Sequence, residues 1–503
     1  MNRLMGIETE YGLFIDTCAI TELANAAREI VESWDGVACP RWDYSHEDPK
    51  RDMRGFRVKR LATDPRDDAI ERAAPRPTTP SGPCDRILTN GARLYHDHGH
   101  PEYSTPECCT LRDIVAHDKA GERVVLRCAQ LFAARKGALV KVFKNNTDYH
   151  GMSYGTHENY LLKRDVPFAE VMSALVPFLC TRIIFTGAGK VGCECNVAHR
   201  HSNVQYQLSQ RADFFTEVAS PDTQYQRPIL NTRDEPHADE RKYRRMHIIA
   251  GDANMSEYAT ALKVGTTALV LELIECGWRP DIELRNPVEA VRGISHDPSW
   301  QWLVDLTDGR SIRAVEVQRI YLDATQRMLA GVDGDTDWVL TEWQLTLDEL
   351  EAEPMKLANR LDWVAKRQLL NMFVESEGLS WDDDVLKSLD LEYHNVEPSA
   401  GLFYALQAKG WMKRIVTDEM INTAIEHPPS DTRAYIRGLC ISQFASAVNR
   451  ASWSYIELNE NGHAYALDLS RLIGDAVIEI IEALQRHGQL TVRLLYELCK
   501  QGC

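Results

Sequence analysis

Two carboxylates stand one residue apart near the start of the chain, Glu8 and Glu10 in MGIETEYG. Ile7, Thr9, Tyr11 and Leu13 alternate with Gly6, Glu8, Glu10 and Gly12, which predicts a strand from Met5 to Ile15. Both acids then share one face, about 6.8 Å apart by strand rise. A solvated sheet face would explain an isolated pair of this kind just as well. A second segment, NGARLYHDHGHPEYSTPE, bears on that choice, because Arg93, Tyr95 and Asp97 fall on one strand face while Leu94, His96 and His98 face the other way. Glu102 follows immediately after Gly99 and Pro101 have turned the chain. Carboxylates hold a hard divalent cation and a guanidinium forks onto phosphate, so this combination fits a metal-nucleotide. The simpler alternative for Arg93 and Asp97 is a same-face ion pair. Gly6 and Gly12 would leave room for such a ligand to approach the sheet.

Two further clusters extend the set. SYGTHENYLL carries His157 and Glu158 at the opening of a short apolar element. NTRDEPHADERKYRRMHIIAGDAN carries Arg233 in a charged run that is by itself an ordinary solvated segment, but it bursts into the half-apolar MHIIAGDAN. That pattern predicts His247 on a sheet strand, with the charged segment at the mouth of the site.

Three other patterns compete. Gly151, Ser153 and Gly155 match G-x-S-x-G, the signature of a serine hydrolase, but that motif needs a strand entering and a helix leaving a sharp turn, and the polar NNTDYH precedes it. GAGKVG around Lys190 lacks the spacing and the Ser or Thr of a phosphate-binding loop. Cys193, Cys195, His199 and His201 are zinc ligands by type but not by spacing, and core cysteines are the plainer reading.

The elements that must position these groups alternate short strands with helices. Ile87 to His98 reads as a strand. Thr110 with Asp113 three residues on resembles a capping box, opening a helix whose apolar face runs to Gly137. Leu139 to Phe143 is a short strand, Tyr258 to Cys276 a helix, and Ser311 to Phe373 a mostly helical stretch. From Cys39 to Cys84 the composition turns to Arg, Asp and Pro without amphipathic period, which predicts a long mobile loop. Lys50, Arg51, Arg54, Arg57, Lys59 and Arg60 within it either meet an acidic partner or simply solubilise it. HPPSD, ending at Asp431, marks a boundary before a small C-terminal region with a helix over Leu472 to Leu484.

At 503 residues the chain has room for a large catalytic domain and an appendage, placed here at 1–430 and 431–503. Its net charge of −17 repels polyanions, so general nucleic-acid binding is not expected, although local basic patches remain open to the chain. No signal peptide is evident, and the most apolar run, Ala259 to Leu273, is interrupted by Lys263 and Glu272. Thirteen scattered cysteines fit reduced thiols. A cytoplasmic protein with no membrane association is expected; oligomeric state is left open.

Taken in order, MGIETEYG, NGARLYHDHGHPEYSTPE, SYGTHENYL, SQRADFF, NTRDEPHAD, YRRMHIIAGDAN and LKVGTTALVL resemble the successive motifs of the family of deamidases and depupylases of Pup, the prokaryotic ubiquitin-like protein. The resemblance implies an α+β, glutamine-synthetase-like fold: a curved, largely antiparallel sheet cradling ATP and Mg2+, backed by helices, with a small C-terminal domain. It makes Glu8, Tyr95 and Glu102 magnesium ligands with Glu10 in the same acidic cradle, and gives Arg93 and Thr105 to the nucleotide. His157, Arg211, Arg233 and His247 would surround phosphates and metals, and Trp453 in NRASWSYIEL would lie near the adenine. Asp97 matches the catalytic aspartate, attacking directly or activating water.

The implied partners are Pup and pupylated proteins. The reactions are deamidation of Pup's C-terminal Gln and cleavage of the isopeptide to target lysines. The alternative is the sister Pup-protein ligase. The 39–84 insertion and the spacing DHGHPEYS after the strand resemble the deamidase branch. The composition of the insertion predicts a gate over the site.

Overall fold

The computed structural model describes residues 3–62, 84–194, 204–223, 227–487 and 490–501. Among these, nine strands form one sheet: β1 (Met5–Glu10), β2 (Ala38–Cys39), β3 (Asp85–Leu88), β4 (Arg93–Asp97), β5 (His100–Ser104), β6 (Thr156–Lys163), β7 (Phe215–Ser220), β8 (Arg227–Asn231) and β9 (Tyr243–Ile248). Their spatial order is β7-β8-β9-β6-β1-β5-β4-β3-β2. The β7–β8 pair at one edge is parallel and the other pairings are antiparallel. This is the expected α+β architecture with a largely antiparallel sheet, and β1 lies at its centre.

The alternation read from the sequence decides which side of β1 is buried. Met5, Ile7 and Thr9 are buried while Glu8 and Glu10 are only partly so. Met5 and Ile7 join Tyr160, Leu162, Met246 and Ile248 of the neighbouring strands in the main apolar core. Helices seal that side. The helix Leu111–Lys136 begins where Thr110 Oγ1 accepts the Asp113 N–H at 3.1 Å and ends at Gly137 in the left-handed conformation, φ +68°. The helix Glu257–Glu275 carries the apolar run noted above and is buried almost all round, so it is a core helix. No described helix is long and apolar enough to cross a membrane.

The structure corrects several boundaries. The first strand breaks at Tyr11, whose N–H donates to Pro101 O at 3.0 Å, and Gly12–Ile15 pairs separately with Val140–Phe143. Gly12 does not make room for a ligand: a Cβ there would lie 2.4 Å from the Tyr154 hydroxyl oxygen. The expected strand from Ile87 to His98 is a hairpin, because Asn90–Gly91, with Gly91 at φ +77°, turns the chain between β3 and β4. The 39–84 segment is not uniformly loose. Its first part is stitched onto the chain after β8, with Met53 N–H donating to Thr232 O and Asp234 N–H to Arg51 O, both at 2.8 Å. Residues 63–83 lie outside the described residues.

Past Asp431, the helix Arg433–Phe444, the strands β10 (Val448–Ala451), β11 (Tyr455–Glu460) and β12 (His463–Asp468), and the helices Asp475–His487 and Val492–Gln501 share an apolar core. That core also takes in Cys39, Trp42 and Ile87 from the large sheet's edge.

Candidate active site

Register places the acids together. In an antiparallel ladder, residues directly opposite one another point to the same side. One row across the sheet reads Arg93, Ser104, Glu8, His157, and the next reads Tyr95, Glu102, Glu10. Two residues along β6 from His157, Asn159 lies opposite His247 of β9. Asp97 ends β4 at a two-residue turn, His98–Gly99, both with positive φ (40° and 91°). That conformation suits a tight hairpin of the primed type.

The result is a cleft of about 270 Å³ lined by Glu8, Glu10, Arg93, Tyr95, Asp97, Glu102, His157, Arg233, His247 and Trp453. Ten of the twelve site residues expected from sequence therefore meet in one place. Thr105 lines an adjoining, more apolar recess beside Gly6, Ile7 and Trp453, where its Oγ1 accepts the Ile7 N–H at 3.0 Å. Arg211 does not reach the cleft: it is wholly buried, donating from Nη1 to Ile249 O at 2.5 Å, with Nε and Nη2 unpartnered. Burial, with Arg227 nearby, lowers its pKa to about 9.

Two triads could hold a cation, Glu8 with His157 and His247, and Glu10 with Asp97 and Glu102; within each the ligand atoms all lie within 4.8 Å of one another. Glu8 Oε2 lies 3.3 Å from His157 Nδ1 and 3.6 Å from His247 Nε2, and its other oxygen accepts from Asn159 Nδ2 at 3.0 Å. These partners hold the Glu8 carboxyl well below the ordinary range although burial opposes them. Glu10 is also lowered against burial, by the charges of His157 and His100 and by the Gly155 N–H, which donates to it at 2.9 Å. The other two acids move the opposite way. Burial pushes Asp97 up, with Glu10 adding to it, and burial with Asp97 and Glu10 pushes Glu102 well up. Burial and Glu102 likewise raise the Tyr95 phenol. Such crowding of like charges marks a site arranged for a cation. His247, lowered to about 3 by burial and by Arg245, is neutral with both ring nitrogens lacking hydrogen bonds.

Arg93 does not pair with Asp97. Its Nε donates to Asp85 Oδ1 and its Nη2 to the Tyr44 hydroxyl, each at 2.8 Å, and the guanidinium lies 4.0 Å from the Trp42 ring centroid and 3.9 Å from that of Tyr95. It is a caged cation in the cleft wall. Glu158 points to the opposite face, where it accepts from Arg182 at 2.9 Å and 2.5 Å. Trp453 packs edge-on to Trp42 at 5.2 Å.

The competing motifs resolve. Ser153 is followed by Gly155 and then directly by β6, so no helix leaves the turn and no nucleophile elbow exists. Gly155 serves the cleft, since a Cβ there would lie 2.2 Å from His157 Nε2 and 3.0 Å from Glu10 Oε1. Lys190 is buried against Glu194. Of the four zinc-type residues, only Cys193 lies among the described residues.

Sequence reasoning missed Arg245, Arg227, His100 and Glu235, all of which line the cleft. Arg245 bonds Asn159 Oδ1 at 3.0 Å and pairs with Glu8 at 3.4 Å. Its position two residues before His247 on β9 was the available signal. Arg227 opens β8 and donates to Ser153 O, a contact made only by the fold.

Residues 3–457 match the family model described as Pup-ligase protein. A depupylase of Acidothermus cellulolyticus is 45% identical, covering 91% of both chains. A Pup–protein ligase of Nakamurella multipartita is 42% identical over 79% of this chain and 90% of its own. Two solved structures of the Pup ligase PafA are similar. One, in complex with Pup, has a TM-score of 0.77 at 32% identity, covering 97% of this chain and 93% of that one. The other, in complex with ADP, has a TM-score of 0.73 at 34% identity, covering 89% and 100%.

Proposed function

The chain belongs to the Pup-ligase family, and from that premise we propose that it is the hydrolytic member: an enzyme that deamidates the C-terminal Gln of Pup and cleaves the isopeptide between Pup and target lysines, with ATP and Mg2+ as cofactors. The observation that carries this reading is the pair of ladder rows that gathers Glu8, Glu10, Tyr95 and Glu102 beside Asp97 on one sheet face. The depupylase relative matches nearly the whole chain, whereas the ligase relative leaves about a fifth of it uncovered, which favours hydrolase over ligase.

The residues present fit the cofactors. Glu10 and Glu102 offer only oxygen donors, as magnesium prefers, and Glu8 adds a carboxylate beside His157 and His247. Magnesium ligation is assigned to Glu8, Tyr95 and Glu102, with Glu10, His157 and His247 completing the cradle. Arg93, Arg233 and Trp453 would face the nucleotide, with Thr105 in the adjoining recess. Because Asp85 and Tyr44 already hold Arg93, its contribution is a fixed positive charge. When bound, the metal ions supply charge stabilisation for phosphate and oxyanion.

Amide hydrolysis requires a nucleophile or base at the carbonyl carbon and a proton for the departing nitrogen. Asp97 supplies the carboxylate. It stands at the end of β4 with over a third of its side chain exposed to the cleft (37%), so a substrate amide can reach it. Arg233, held by Pro221 O at 2.8 Å, offers positive charge to a developing oxyanion.

The absence of disulfides among the described cysteines supports a reducing, cytoplasmic setting. The test is incubation with Mg·ATP and Pup ending in Gln, followed by intact mass. The mass gain of deamidation is expected; no gain there, with isopeptide formation to a lysine-bearing protein when Pup ending in Glu is supplied, would instead assign the ligase activity.

A further inference from the structure

Trp453 lines one recess together with Gly6, Ile7, Thr105, Glu107 and Tyr160, yet it belongs to the C-terminal unit and they to the large sheet and the chain leaving it. Something must fix the two parts to each other. One wholly buried side chain, Arg437, contacts both. Its Nε donates to Gly91 O at 2.9 Å, at the turn leading into β4. Its Nη1 donates to Trp453 O at 2.9 Å and to Glu107 Oε1 at 3.2 Å, and its Nη2 donates to Glu107 Oε2. The guanidinium also lies 4.9 Å from the Trp453 ring centroid.

The backbone around Arg437 permits this only at contact distance. A Cβ on Gly438 would lie 2.2 Å from Thr89 O, and one on Gly91 would lie 2.8 Å from Ala434 O. The helix Arg433–Phe444 therefore sits directly on the β3–β4 turn. A stack then runs from Arg437 through Trp453 and Trp42 to Arg93 on β4. No part of Arg437 lines either recess.

We propose that Arg437 is a positioning residue for the nucleobase: by fastening the Trp453 backbone and ring to Glu107 and the β3–β4 turn, it presets the lid of the recess that receives the base. The inference rests on the nucleotide reading of the site. A preset lid avoids the ordering cost of closing on the ligand, so its loss weakens binding of the base while the phosphate and metal groups on β1, β4 and β5 stay in place.

The full chain is assayed for Pup deamidation with Mg·ATP, and Mg·tripolyphosphate, which lacks base and ribose, is titrated as a competitor. Arg437→Met is expected to raise the KM for ATP roughly tenfold with kcat at saturation changed less than about threefold, and to leave tripolyphosphate inhibition as in the wild type. Arg437→Lys, which keeps the charge on Glu107 but not the fork, should recover part of the loss. Arg437→Gln serves as the second variant should Arg437→Met not fold, with the same selective loss for ATP. Equal weakening of ATP and tripolyphosphate, or an unchanged KM, overturns the proposal. A wild-type chain that binds neither ligand overturns the nucleotide reading itself.

Discussion

Tyr95 lies directly across the ladder from Glu102, at the position where β4 and β5 place a phenol and a carboxyl on one face. Glu10 is the next residue in that row. Burial and mutual charge raise both Tyr95 and Glu102. Without a cation these groups oppose their own ionisation; with one, the same crowding becomes affinity.

Glu102→Gln should therefore lower affinity for Mg2+ by about 10- to 100-fold, with rate partly restored at higher magnesium. Chelation of divalent ions should abolish wild-type turnover and added Mg2+ restore it. A magnesium titration of deamidation rate in wild type and variant checks both; an unchanged midpoint would remove Glu102 from the ligand set.

Asp97→Asn should reduce amide hydrolysis by about three orders of magnitude while ATP binding changes little, because the amide keeps the shape but neither attacks nor accepts a proton. Intact-mass kinetics and nucleotide titration read the two effects separately. Retained turnover would take the role away from Asp97.

Gly155→Ala should displace His157 from Glu8 and press on Glu10, given the 2.2 Å and 3.0 Å approaches its Cβ would make. A loss of about tenfold or more in kcat/KM is expected with the melting temperature nearly kept. If turnover survives intact, the His157–Glu8 contact is dispensable.

Glu107 gives a pH dependence with a definite sign. Arg437 and Arg433 hold its carboxyl at about 2 against burial, below its ordinary 4.5. A depressed acid contributes stability above its unfolded pKa and loses it as pH falls toward the folded one. The contribution, about 3 kcal/mol, should be whole at neutral pH and fade between about pH 5 and pH 2. Glu107→Gln should be less stable than wild type at pH 7, with the gap narrowing on acidification; denaturant unfolding at several pH values measures it. A pH-independent gap would mean the ion pairs are not its source.

Periodicity alone was enough to place Glu8 and Glu10 on one face and to put Arg93, Tyr95 and Asp97 on a common side, since side-chain direction in a strand follows from position parity, and the Thr110–Asp113 pair was enough to start the helix. The motif order added the family and its fold. Parity could not find the break at Tyr11 or tell that Gly12 faces Tyr154, because both depend on which distant segment packs there. Nor could it choose the partner of Arg93: Asp85 comes from a neighbouring strand and Tyr44 from a segment read as loose. Arg227, Arg245 and Arg437 acquire their roles only when strands remote in sequence come into register and the C-terminal helix settles on the β3–β4 turn. The chain's local order sets which chemistry is available, and tertiary packing sets the charge neighbours that decide where each proton resides.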